Sequence, residues 1–204
     1  MTMSNMSGSS LYSLKQQSLS MAKDLSAATK TVTDAVTIYA NENESVSSML
    51  NKAQPTVLLS AASGMSSSSS ADAIQGILNQ FNLSEDQEMH VADTVEKLSS
   101  EIALDFSKGC DTISQSIATS GSVVNEAGMS FEKYAALVST TAEKTRVSGS
   151  QIGNAFKTIF SRISRSKDGL TTDAEMSDAE AALKSVGVSV RGADGDLRDI
   201  SDTL

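Results

Sequence analysis

"SGSQIGNAFKTIFSRISRSK", residues 148–167, is the stretch in which cationic residues, aromatics and glycine crowd together. At about 100° per residue, Ile152, Ala155, Phe156, Ile159, Phe160 and Ile163 fall at i, i+3, i+4, i+7, i+8 and i+11, on one face of a helix. Ser148, with Gln151 three residues on, is a capping box that starts it. Lys157 and Arg162 flank the apolar stripe on opposite sides, and Asn154, Ser161 and Arg165 occupy the far face. The charges therefore make no single strip that could track a nucleic-acid backbone. Gly153, beside the stripe, would let a neighbouring helix come close. The stretch reads first as a packing helix with basic shoulders. Binding to a membrane surface through its aromatic face, and contact with nucleic acid, stay open behind that reading.

The bulk of the chain narrows the choice. Its 204 residues carry a formal net charge of −9, which argues against a general phosphate-binding surface. A single cysteine makes no internal disulfide, and no apolar run reaches the length of about 18 residues that reads as a bilayer span. The opening "MTMSNMSGSS" lacks the basic-then-apolar order of a signal peptide. The expectation is a soluble chain made in a reducing compartment. With no tryptophan and only 4% aromatics, the core must come from Ala, Val, Ile, Leu and Met. Burial at roughly 25 cal/mol per Å² returns little per small side chain, so helices that associate with one another, or with further copies, are expected before a compact enzyme core.

Upstream, a period of about 3.5 residues picks out Leu11, Leu14, Ser18, Met21, Leu25, Ala28, Val32, Ala35, Tyr39, Glu42, Val46 and Met49. Ten of these twelve are apolar, which makes a heptad seam. It serves either a long helix packing on its own domain or an intermolecular coiled coil. "ANENES", Ala40 to Ser45, interrupts or frays it. Pro55 reads as a helix boundary, followed by a short helix closing at Gly64. The serine-rich run within 63–70 reads as a flexible joint. Ile74, Ile77, Leu78 and Phe81 mark the next helix, and Ser84 with Gln87 caps another carrying Val91, Val95, Leu98 and Ile102. Phe106, Cys110, Ile113, Ile117 and Val124 line a further face, with Gly109 and Gly121 near it.

Between them and the opening stretch, Ser130 caps a helix with Phe131, Tyr134, Ala135, Val138 and Ala142 on one stripe, ending near Arg146. Ser177 with Glu180 reads as a third capping box, for a helix closed by Gly187. "VSVRGADGDLRDI" then alternates with period two around Asp194-Gly195, the pattern of a small hairpin-like turn. The fold class is mainly α: a multi-helix array, with a coiled-coil N-terminal helix and this one β-like feature. The expected organisation is a long heptad helix over 1–53 and a helical region over 54–204.

Catalytic chemistry finds no support. Cys110 sits on an apolar face, His90 lies off the apolar face of its own helix, and no basic neighbour is in sight to lower the thiol pKa. Asp194 to Asp196 lack the alternating carboxylates of a calcium loop. "SGSQIGN" has no lysine to make a phosphate loop. We therefore assign no catalytic residue, no cofactor, cofactor-binding residue or metal ligand, and expect no enzyme.

Several blocks together go further. "SGSVVNEAGMSFEKYAALVSTTAEKTRVSGSQIGNAFKTIFSRISRSKDG" and "SDAEAALKSVGVSVRGADGDLRDISDTL" resemble the core region of tail tape measure proteins of long-tailed phages and prophages of Gram-positive bacteria. The matching features are a Gly-x-Ser-Phe-Glu helix, a Glu-Lys-Thr-Arg helix end, the Ser-Gly-Ser turn into Lys-Thr-Ile-Phe-Ser-Arg, and the Val-x-Val-Arg segment with its acidic-Gly turn. With "QPTVLLSAASGMSSSSSADAIQGILNQF" upstream, the resemblance runs over residues 30–204.

The resemblance implies a structural role in tail assembly: a virion protein that sets tail length and lies in the tail tube lumen until DNA ejection, after assembly in the host cytoplasm. It implies self-association, contacts with the tail tube protein, tail assembly chaperones and tail tip proteins, and transient contact with the host membrane, without specific nucleic-acid binding. At 204 residues the chain is short for a ruler, so a piece of a longer protein is expected. The alternative is a membrane-active helical module working at the host envelope.

Overall fold

The structure, a computed structural model, describes residues 6–40, 45–101, 106–167 and 173–185, with Gly187 and Ser189. Helices α1 (Gly8–Asp24), α2 (Thr29–Ala40), α3 (Val46–Ser63), α4 (Ser67–Phe81), α5 (Glu88–Glu101), α6 (Phe106–Glu126), α7 (Phe131–Thr145), α8 (Gly149–Lys167) and α9 (Asp173–Ser185) follow one another, with one 3-10 turn at Glu85–Gln87 before α5. Among the described residues there is no strand, so the fold is mainly α. The hairpin expected around Asp194-Gly195, Ile102, and most of "ANENES" lie outside the described residues.

Contacts divide the chain into two compact units, one within Met1–Leu78 and Ser84–Glu96, the other within Asn79–Leu83 and Lys97–Leu204. In the first, the seam does not run as one helix. Residues 25–28 break it into α1 and α2, and α3 starts after a Ser45 cap whose Oγ accepts from the Ser48 N–H at 3.2 Å. A straight helix would leave this stripe in water. Folded back, the chain buries Leu14, Val32, Ala35, Val36, Tyr39, Met49, Ala53 and Val57 in one cluster. The boundary expected after residue 53 falls inside α3, where ten of eighteen residues are buried.

Pro55 sits within α3 and does not end it. An interior proline costs about 3 kcal/mol by withholding an N–H and crowding the preceding turn. Here the carbonyl left without its donor belongs to Asn51, an exposed residue, while Ala53, Pro55, Thr56, Val57 and Leu59 pack inward. Burial of that face outweighs the local cost. The helix closes at Gly64, in the left-handed region at φ +72°, as its sequence requires.

The serine run is likewise not a joint beyond Ser66. Ser66 caps α4 through the Ser69 N–H (3.1 Å), and Ser67 to Ser70 form its first turn. Ser67 and Ser70 are buried, Ser67 donating to the Thr31 carbonyl at 3.1 Å. Small hydroxyl side chains let α4 sit close against its neighbour, which is why a run that looks like linker is helical. α9 also begins earlier than expected, at Asp173, so Ser177 lies within the helix and is not its cap.

In the second unit the apolar stripes pack as read. Cys110, Ile113, Ile117 and Val124 of α6 and Phe131, Tyr134, Ala135, Val138 and Ala142 of α7 are buried. α6 packs on both α7 and α8, and α9 on α8. On α8, Ile152, Phe156, Phe160 and Ile163 are buried, Ile159 is half-buried and Ala155 is exposed. The buried stripe is therefore turned toward Gly149 and Gly153, because those positions meet α6.

Candidate functional site

The most closely built feature is the seam between α6 and α8 with the tyrosine set behind it. The Ser148/Gln151 box starts α8: the Ser148 N–H donates to Gln151 Oε1 (3.2 Å) and the Gln151 N–H to Ser148 Oγ (3.4 Å). That start brings Gly149 and Gly153 one turn apart onto α6. A Cβ on Gly149 would lie 2.3 Å from the Thr112 carbonyl oxygen, and one on Gly153 2.8 Å from the Ser116 carbonyl oxygen and 2.7 Å from Thr119 Cβ. Only hydrogen fits at either position without moving backbone. Gly149 and Gly153 stand in a Gly-x-x-x-Gly spacing, the sequence signal for this seam, of which Gly153 alone lies beside the apolar stripe on the wheel.

Beside that seam, Tyr134 of α7 is hydrogen-bonded to Ser116 Oγ at 3.1 Å and also to Ser120. Its ring packs edge-on against Phe156 (centroids 5.7 Å) and Phe160 (6.4 Å), and tilted against Phe81 (6.3 Å). Burial pushes the phenol pKa above its ordinary value of 10.0, and the bonds to Ser116 and Ser120 oppose that only in part. A phenol held neutral in an aromatic core, without a base beside it, serves as a packing and orienting group. Phase on the wheel gave Tyr134 its buried face; nothing local marked Ser116 and Ser120 as its partners.

The remaining polar clusters are structural in kind. In the first unit Lys52, on α3, is buried and pairs with exposed Glu85 at 3.2 Å, and Gln75 donates to buried Glu88 at 2.8 Å. Lys52, Glu85 and Glu88 border a hollow of about 370 Å³. An apolar groove of about 320 Å³ lies between α1 and α2, lined by Leu11, Leu14, Leu19 and Val36 among others. Cys110 is buried on α6 in the second unit, and His90 is exposed on α5 in the first. Among the described residues no three His, Cys, Asp or Glu side chains are grouped to hold a metal ion, and no helix is long and apolar enough to cross a membrane.

Helices stacked through glycine seams and an aromatic core, with polar groups spent on caps and interhelical bonds, define a helical structural protein. Residues 15–204 match the model of the family described as phage-related minor tail protein, and the chain belongs to that family. It is also similar to the "Probable tape measure protein" of Escherichia phage P2, 24% identical over 194 residues. That alignment covers 95% of this chain and 22% of the relative, so the chain spans about a fifth of that protein's length. The relative's host gives no support to narrowing the source to Gram-positive bacteria. No solved structure matches the chain. Family membership makes the chain a structural protein of the phage tail.

Proposed function

We propose that the chain is the helical core segment of a tail tape measure protein, which sets tail length and occupies the tail tube lumen until DNA ejection. The observation that carries this is the likeness to a tape measure protein over 95% of the chain, joined to an architecture of helices with no built active site among the described residues. Length is encoded when residues convert to distance at a fixed rate, and a helix supplies about 1.5 Å per residue. On this reading the chain associates with further copies of itself, contacts the tail tube protein, tail assembly chaperones and tail tip proteins, and passes from the host cytoplasm into the virion.

The membrane-active alternative is the weaker one. Phe156 and Phe160 would have to enter the bilayer, and both are buried in the second unit. Tail length decides the first reading. On this reading the helices packed side by side in the structure run end to end inside the tube, so phage carrying an in-frame deletion of residues 106–167 should show tails shorter by about 90 Å in electron microscopy, the rise of that length of helix. Tails of unchanged length would overturn it.

A further inference from the structure

We propose that α1 and α2 form a hairpin able to open into one continuous helix over Gly8–Ala40, with the break at residues 25–28 held by tertiary contact alone. The inference goes beyond the tail reading and stands on the geometry of the first unit. Ser26 occupies the left-handed region at φ +51°, where a residue with a Cβ is disfavoured roughly fivefold or more relative to its right-handed form. The helix ends there are poorly marked. The Ala27 N–H returns to the Ala22 carbonyl at 2.9 Å and the Ser26 N–H to the Lys23 carbonyl at 3.2 Å, the two bonds of a Schellman closure, but serine stands where glycine normally would. Ala28, whose carbonyl takes the first bond of α2 from Val32 at 3.3 Å, has no side chain to cap with.

The contrast with the other junctions is consistent. α3, α7 and α8 start after Ser45, Ser130 and Ser148, and α4 after Ser66, each engaged in a capping bond. Between Ser9 and Gln54 there is neither glycine nor proline. The heptad phase runs through the break unaltered, Met21, Leu25, Ala28 and Val32 following at intervals of four, three and four. Nothing in the local sequence asks the helix to stop.

What holds the hairpin is slight on the α1 side. Of its seventeen residues only Leu14 and Ala22 are buried, while Leu11 is 39%, Tyr12 66% and Leu19 42% exposed. The groove of about 320 Å³ between α1 and α2 records the same loose fit. Opening restores i to i−4 bonds across 25–28 and relieves Ser26. The straight helix would be about 50 Å long, projecting Leu11, Leu14, Met21 and Leu25 as one apolar stripe beyond α3.

Spin labels at Gln16→Cys and Thr37→Cys, both exposed, in the full chain with Cys110→Ala, read the two forms. Packed neighbouring helices have axes about 10 Å apart, whereas a continuous helix separates these positions by about 32 Å. Adding Leu14→Ala, which removes the main anchor of α1, should produce a narrow distance near 32 Å. Adding Ser26→Gly on top should lower that population roughly fivefold or more, since glycine bears the left-handed turn without strain. A Leu14→Ala chain that keeps only the short distance, or shows only a broad distribution, would overturn the proposal. So would a long distance indifferent to Ser26→Gly.

Discussion

The hydroxyls of Tyr39 on α2 and Thr56 on α3 lie 2.7 Å apart in the buried centre of the first unit. Thr56 also donates to the Lys52 carbonyl, at 3.3 Å. One polar contact thus ties α2 to α3 beside Pro55, inside a largely apolar cluster. Tyr39→Phe should cost about 1 kcal/mol, because Thr56 keeps its helical acceptor. Thr56→Val should cost more, since it removes the bond to the Lys52 carbonyl as well as the contact with Tyr39. Urea midpoints of the two variants, compared at equal slope, check the order.

Glycine at the α6 seam predicts opposite signs for one kind of change. Gly153→Ala drives a Cβ into α6 backbone and should destabilise by about 1–3 kcal/mol, the usual cost of overpacking. Gly76→Ala, in α4, meets nothing within 4 Å and should stabilise by about 0.5–1 kcal/mol through helix propensity. Thermal unfolding of both separates a packing role for Gly153 from a mere preference for alanine in helices.

Tyr134 gives the second unit a dependence on alkaline pH. Its pKa is raised in the folded chain, chiefly by burial, so the fold favours the protonated phenol. The associated stability is fully present below the unfolded value near 10 and is lost as pH rises through the higher folded value. Denaturant unfolding of wild type from pH 9 upward should fall more steeply than that of Tyr134→Phe. Equal slopes would mean the phenol does not titrate with unfolding.

Lys52 tests how much the pair with Glu85 contributes. The lysine side chain is 9% exposed and the glutamate 73%, so solvent screens the attraction while the buried stem packs. Lys52→Met, which keeps the stem, should cost the smaller amount, the contribution of the charge alone. Lys52→Ala should cost more through lost packing. Chemical denaturation of the two, at low and high salt, divides charge from stem.

Much of the local architecture was legible in the residues. Stripes at helical spacing gave the buried faces of α6, α7 and most of α8. Ser130, Ser148 and Gly64 marked helix ends where they occur, because a cap or a left-handed glycine acts within one turn and carries its own signal. The blocks around residues 148–167 also carried the tape measure resemblance. Partners distant in sequence had no such signal. Ser116 and Ser120 lie on α6 and bond Tyr134 of α7, while Lys52 and Glu85 meet only once α3 and the turn before α5 are folded.

By itself, then, the sequence determined that this protein is helical, which faces are apolar, and which residues cap α7 and α8. Only the tertiary structure decided that the seam over residues 11–49 folds back at Ser26, that Pro55 and the serines of α4 lie inside helices, and that α8 turns Gly149 and Gly153 to α6 while Ala155 faces water. In each case the local preference is worth on the order of 1–3 kcal/mol. Burial of a whole apolar face is worth more, and it depends on surfaces that do not exist until distant segments meet.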